Sequence, residues 1–224
     1  MINDNTKVFI IIPCYNETAN LSAVISSVKN YGQVVVVDDG SIDSSEQVAR
    51  EWGVVVLKHL LNRGQGAALA TGNRYALNHG ADIIVHFDAD GQHQAEDLPK
   101  LIQPIINNEV EVVLGSRFLK KDNQIPWFKK WLILKLAVIF QNLMFGIKLT
   151  DSHNGFRAFS KKALEKIRIT QDGMAHGSEI VEQIISHKLR YKEFPVTIMY
   201  HEFGQGIVAG LRILKDLLFG KINK

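Results

Sequence analysis

Short apolar runs alternating with stretches of helical periodicity fill the first half of the chain. Residues 8–12 (VFIII) are wholly apolar and end at Pro13, the pattern of a strand buried on both faces of a parallel sheet. The same pattern recurs at 34–37, 54–57, 83–87 and 110–114. Between these runs the spacing predicts helices over 19–29, 43–52, 67–78 and 96–107, with Pro99 tolerable in the first turn of the last. Five buried strands joined by right-handed helical crossovers predict an α/β fold, a three-layer sandwich around a doubly wound, mostly parallel central sheet.

The second half is less regular. Residues 128–145 read as an apolar helix, 155–159 as an added strand, 177–187 as a helix and 190–199 as an extended segment broken by Pro195. In 207–222, Ile207, Leu211, Leu214, Leu218 and Ile222 fall at helical spacing. Neither repeats nor a low-complexity linker interrupt the 224 residues, so one domain spanning 1–224 is expected.

Composition narrows the function classes. Lys and Arg number 26 against 23 Asp and Glu, and the resulting +3 is too small to indicate a nucleic-acid groove. Cys14 is the single cysteine, which excludes an internal disulfide, and the pattern of a secretory leader is missing before Val8, so the cytoplasm is the expected compartment. Lys130, Lys135 and Lys148 interrupt the most apolar region before it reaches the roughly 20 residues that cross a bilayer. Residues 126–147 combine two of the three tryptophans with lysines, a mixture suited to a lipid headgroup boundary. This segment and 207–222 are expected either at a membrane surface, making the protein peripheral there, or at a subunit interface, including that of a homo-oligomer.

In a doubly wound sheet ligands bind at the carboxyl ends of the strands, so the residues after each run carry the functional weight. Asp88-Ala89-Asp90 follows the fourth run and precedes Gly91. Two carboxylates so spaced can turn toward one hard cation, and Mg²⁺ or Mn²⁺ takes one or two carboxylates plus phosphate oxygens and water, as on a nucleoside diphosphate. The structural alternative is capping of the next helix. Asp38-Asp39-Gly40-Ser41 follows the second run; Asp39 is the expected ligand for ribose hydroxyls or base nitrogens, and Asp38 the structural partner. The glycine-rich stretch 62–68 opens a helix and could present free N–H groups to phosphate. Its glycines miss the G-x-G-x-x-G spacing and the chain has no G-x-x-x-x-G-K-[ST], which excludes dinucleotide binding and P-loop hydrolysis.

Taken together, Pro13-x-Tyr15-Asn16-Glu17, Asp38-Asp39-Gly40-Ser41, Asn62-x-Gly64-x-Gly66, Asp88-Ala89-Asp90-Gly91-Gln92, Gly115-Ser116-Arg117 and Asn154-Gly155-Phe156-Arg157 resemble the inverting family 2 glycosyltransferases of the GT-A fold. The resemblance spans nearly the whole chain and is closest to the dolichol-phosphate and polyprenyl-phosphate mannose synthase branch. It implies that Pro13, Tyr15, Glu17 and Asp39 line a nucleoside pocket, that Asp88, Asp90 and Gln92 surround the metal, that Ala89 touches the nucleotide and that Arg117 faces the phosphates or the acceptor. Glu179 stands where many members place the base that deprotonates an acceptor hydroxyl; a phosphate acceptor would need none. The implied donor is of the GDP-mannose or UDP-glucose type, and the implied acceptor a lipid phosphate or a glycan hydroxyl. Direct displacement at the anomeric carbon is expected, with Asp90, Arg117 and Glu179 as the catalytic set. A sugar nucleotidyltransferase, or a nucleotide-sugar-binding or membrane-docking subunit without turnover, remain the alternatives. His93, His153 and His176 lie near these motifs and are candidates for a role in the site.

Overall fold

The computed structural model describes residues 6–119, 149–151 and 154–199. The predicted apolar segments 126–147 and 207–222, and His153, lie outside the described residues. All five apolar runs form strands: β1 (Val8–Cys14), β2 (Gln33–Asp38), β3 (Val55–Lys58), β4 (Ile83–His86) and β5 (Val112–Ser116). They are joined by helices α1 (Thr18–Val28), α2 (Ser45–Glu51), α3 (Gln65–Asn78) and α4 (Leu98–Ile106). Beyond these lie β6 (Arg157–Ser160), α5 (Lys161–Lys166), α6 (His176–Ser186) and β7 (Tyr191–Pro195). The strands form one seven-stranded sheet in the order β3-β2-β1-β4-β6-β5-β7.

Side chains alternate across the strands and so feed two cores. Val8, Ile10 and Ile12 of β1 pack with Leu21, Val24 and Ile25 of α1 and with Leu98, Leu101 and Ile102 of α4. Phe9 and Ile11 point the other way, into Ala68 and Leu69 of α3 and Ile180, Val181 and Ile184 of α6. Helices on both faces make the three layers, and β1, buried along its full length, lies inside the sheet between β2 and β4.

Two details depart from the sequence reading. The 54–57 run, taken as buried on both faces, lies at the sheet edge as β3 and is only half-buried; an edge strand pairs on one side, whatever its composition. The 155–159 strand, shifted to β6, runs antiparallel to both β4 and β5 and sits between them. Because β6 runs backwards, it begins where its neighbours end, which places Asn154 and Gly155 at the carboxyl edge of the sheet. Parallel β7 leaves at that same edge, where Met199 N–H donates to Gln92 O at 2.9 Å and Ile198 bridges to His93.

Candidate active site

The turn after β4 is braced from three sides. Asp88 Oδ1 accepts from Gln65 Nε2 at 2.8 Å, and Oδ2 lies 3.0 Å from His93 Nε2. The His93 ring is buried edge-on to Phe87 and tilted against Phe156, so it has little freedom to turn. Gly155 lies directly over the carboxylate: a Cβ there would stand 2.8 Å from Asp88 Oδ1, 2.9 Å from Cγ and closer still to Oδ2. Burial acts to raise the Asp88 pKa, but the hydrogen bond with His93 and the charges of His93, His176 and Arg157 prevail and hold it below the usual carboxylate range. Asp90 shifts the other way, raised first by burial and then by the charge of Asp88. Its Oδ1 accepts from Gln92 N at 3.0 Å, and its Oδ2 has no partner among the described residues. Ala89 is buried in the core.

The ends of β1 and β2 are laced together beside this turn. Asn16 N donates to Ser41 Oγ at 3.0 Å, Ile42 N to Asn16 Oδ1 at 2.9 Å, and Glu17 N to Ser45 Oγ at 2.8 Å. Pro13 is buried, Tyr15 is exposed and Glu17 is near enough to Asp90 for its charge to act there. Cys14 is buried, and this pushes its thiol up to about 12.

Asp38, the last residue of β2, and Asp39 beyond it meet different surroundings. Asp39, read as a ligand, is buried and accepts from Arg63 N at 3.1 Å and Gly64 N at 2.6 Å, with His59 Nδ1 at 2.6 Å. It fixes the 59–64 loop. Asp38, read as structural, accepts from Ser41 N through Oδ1 while its buried Oδ2 has no partner. Donors of a loop that follows β3 reach Asp39, and nothing local in the DDGS stretch announces them.

Two N–H groups at the glycine-rich start of α3 are already engaged. Gly66 N donates to Asp172 O at 2.8 Å, and Ala67 N approaches the same oxygen at 3.3 Å. A Cβ on Gly66 would collide with Gln171 O and come within 3.0 Å of the His176 Cβ. The glycine therefore allows close approach of the 171–173 loop. Glu179, expected as a base, holds that loop: Oε2 accepts from Thr170 N at 2.9 Å and Gln171 N at 3.0 Å, and Oε1 accepts from the Thr170 hydroxyl.

Arg117, at the end of β5, forms a bidentate pair with Asp151, Nε to Oδ2 at 2.6 Å and Nη2 to Oδ1 at 2.8 Å. Asp151 N and Thr150 N in turn donate to the Glu193 carboxylate. Arg157 is buried within electrostatic reach of both Asp88 and Asp151, and its Nε donates to Asn154 O at 2.9 Å. The structure thus brings Pro13, Tyr15, Glu17, Asp88, Asp90 and Gln92 to one edge and places Glu179 and Arg117 in pairs of their own. Gln65 and Asp151 were not singled out from the sequence, because their roles depend on partners far along the chain.

Among the described residues no three His, Cys, Asp or Glu side chains cluster as a ready-made metal cage. Two carboxylates, one with an unpartnered oxygen, instead suit a cation that brings its remaining oxygens on a phosphate. Nor is any described helix long and apolar enough to cross a membrane.

Known proteins share sequence and fold with this chain. The chain is 35% identical, over 97% of its length and 97% of the relative's, to a UDP-N-acetylglucosamine–dolichyl-phosphate N-acetylglucosaminyltransferase of Methanococcus voltae. It is 29% identical, over 91% of its length and 88% of the relative's, to an undecaprenyl-phosphate mannosyltransferase of Micrococcus luteus. Its fold matches glucosyl-3-phosphoglycerate synthase of Mycobacterium tuberculosis, crystallised with Mn²⁺, UDP and glucosyl-3-phosphoglycerate, with a TM-score of 0.73 at 16% identity over 96% of this chain and 79% of that one. The profile of glycosyl transferase family 2 matches residues 9–168, the span from β1 through α5 that carries the acidic strand ends, and the chain belongs to that family.

Proposed function

We propose that the protein transfers a hexosyl group, with inversion, from a nucleoside diphosphate sugar to a polyprenyl phosphate, using Mg²⁺ or Mn²⁺. The observation that carries this reading is the β4 turn, where Asp88 is clamped by Gln65 and His93 while Asp90 keeps an oxygen without a partner. Asp90 would hold the cation, with Asp88 and Gln92 beside it. When bound, the cation neutralises the diphosphate and stabilises the departing nucleoside diphosphate. Gln65 and His93 fix the Asp88 carboxylate so that its orientation costs nothing at the moment of reaction. The exposed Tyr15 ring and Glu17 line the nucleoside side of the cleft, and Asp39 acts from beneath by holding the 59–64 loop.

A phosphate acceptor already carries its negative charge, so no proton must be removed for it to attack the anomeric carbon. The engaged Glu179 carboxylate is consistent with that, as are the lipid phosphates named for the Methanococcus and Micrococcus relatives. The Arg117–Asp151 pair is assigned to fixing the end of β5, since both prongs of the guanidinium fork are matched. A uridine diphosphate sugar is the preferred donor, following the more similar of the two relatives. A lipid acceptor requires contact with the cytoplasmic face of a membrane, for which the compositions of 126–147 and 207–222 are suited.

The test is to incubate the purified chain with UDP-N-acetylglucosamine, UDP-glucose or GDP-mannose, each radiolabelled in the sugar, together with Mn²⁺ or Mg²⁺ and a polyprenyl phosphate. Label should enter the organic phase with release of nucleoside diphosphate, and EDTA should abolish it. Formation of a nucleotide sugar from a nucleoside triphosphate and a sugar 1-phosphate, with pyrophosphate released, would assign a nucleotidyltransferase instead, and donor binding without turnover across the panel would assign a binding subunit.

A further inference from the structure

The first turn of any helix leaves N–H groups without intrahelical partners, and something must accept from them. In α3 no side chain does so; the acceptor is the carbonyl of Asp172, from a loop more than a hundred residues later. That loop is tied down from α6. Glu179, in the first turn of α6, accepts from Thr170 N, Gln171 N and the Thr170 hydroxyl, and His176 Nδ1 lies 2.8 Å from Gly173 O. Gln65, the first residue of α3, is the one that donates to Asp88 Oδ1 at 2.8 Å. A continuous series of bonds therefore runs from Glu179 through the 170–172 loop and the start of α3 to the acidic turn.

We infer that Glu179 is a positioning residue: it fixes the loop that caps α3 and thereby the Gln65 amide that orients Asp88 for the donor and its cation. The inference rests on the reaction proposed above for its kinetic consequences, but the structural half is independent of any substrate. Proton abstraction needs a carboxylate, whereas the loop needs only acceptors. The amide of Glu179→Gln can still accept from the two backbone N–H groups through its oxygen and donate to the Thr170 hydroxyl through its nitrogen.

The experiment compares the wild type, Glu179→Gln and Glu179→Ala in two ways. Amide hydrogen exchange at Gly66 and Ala67 is measured on the protein alone, and kcat, donor KM and the pH profile are measured with whichever donor the wild type turns over. Positioning predicts Glu179→Gln within about threefold of wild type in both rate constants, with an unshifted pH profile and protected amides. It predicts that Glu179→Ala exchanges those amides about tenfold faster and raises donor KM about tenfold, with a smaller change in kcat, as when a partner behind a metal ligand is lost. A fall in kcat of about a hundredfold or more in Glu179→Gln, at unchanged donor KM and amide protection, would identify a general base and overturn the inference. Unchanged exchange at Gly66 and Ala67 in Glu179→Ala would overturn it as well. If Glu179→Ala does not fold, Thr170→Val, which removes one of the three bonds, gives the same comparison at smaller amplitude. A wild type that turns over none of the donors refutes the proposed reaction while leaving the exchange result to decide the loop's role.

Discussion

Adding a single methyl group at Gly155 tests the acidic turn without removing any charge. Gly155 is outside the left-handed region, so alanine is acceptable to its backbone and the effect is steric alone. The new Cβ would stand 2.8 Å from Asp88 Oδ1 and 2.9 Å from Cγ, against the 3.4 Å or more of ordinary contact. Asp88 cannot retreat while it holds both Gln65 at 2.8 Å and His93 at 3.0 Å, so one of those bonds must break or stretch. A hydrogen bond to a charged group contributes about 1.5–3 kcal/mol, which corresponds to about a tenfold to a hundredfold loss in kcat/KM if Asp88 acts only when correctly aimed. Overpacking should cost about 1–3 kcal/mol of stability, small enough for the variant to remain folded. The assay is kcat/KM over a Mn²⁺ titration, with a melting curve as control. Combined with Gln65→Ala the loss should be less than additive, because both changes disturb one bond. A Gly155→Ala enzyme with wild-type kcat/KM and wild-type Mn²⁺ dependence would refute the placement of Asp88 in the working site.

Three further outcomes follow from the same geometry. Asp90→Ala should lose about a hundredfold or more in activity, and what remains should no longer respond to Mn²⁺ or Mg²⁺, which a metal titration reads directly. Buried His176 is lowered from 6.5 to about 4, chiefly by burial and then by the charge of Arg157. Between those values the unfolded chain binds a proton that the folded one refuses, so stability should rise with pH across that window and fall as pH drops through it, by at most about 3 kcal/mol. Urea unfolding at several pH values should show this slope, and His176→Gln should reduce it, the remainder coming from buried His86, which burial likewise holds well below its ordinary value; an unchanged slope would exclude His176 as a source. Cys14, buried and with its thiol near 12, should resist a disulfide reagent at pH 8 in the folded protein and react fully once denaturant is added. Rapid stoichiometric labelling of the native protein would contradict the burial.

The coupling of the site to the fold explains why so few groups are left idle around it. Asp88, Asp39 and Asp151 receive donors from distant segments and Glu179 from the stretch just before its own helix, and each ties down a different part of the chain. Asp90 and Asp38 each keep one oxygen without a partner among the described residues, and the Asp90 pKa is raised by burial and by Asp88, the state in which a divalent cation offers relief.

The strands and helices of the first half were legible in the amino-acid order because burial is a local property of composition. A run such as VFIII can hardly be anything but a central strand, and the acidic residues that interrupt such runs mark the edge where ligands bind. The motifs from Pro13 to Gly155 identified the family for the same reason, since each is contiguous. What those residues do with their side chains was decided elsewhere. The direction of β6, and with it the position of Gly155 over Asp88, depends on pairing with β4 and β5, which a four-residue strand does not encode by itself. The backbone N–H groups that reach Asp39 come from the loop after β3, and those that reach Glu179 from the stretch leading into α6, and no contiguous motif announces either. A carboxylate's chemistry is set by which donors reach it, and donors from distant segments meet only after the sheet and its two helical layers have closed.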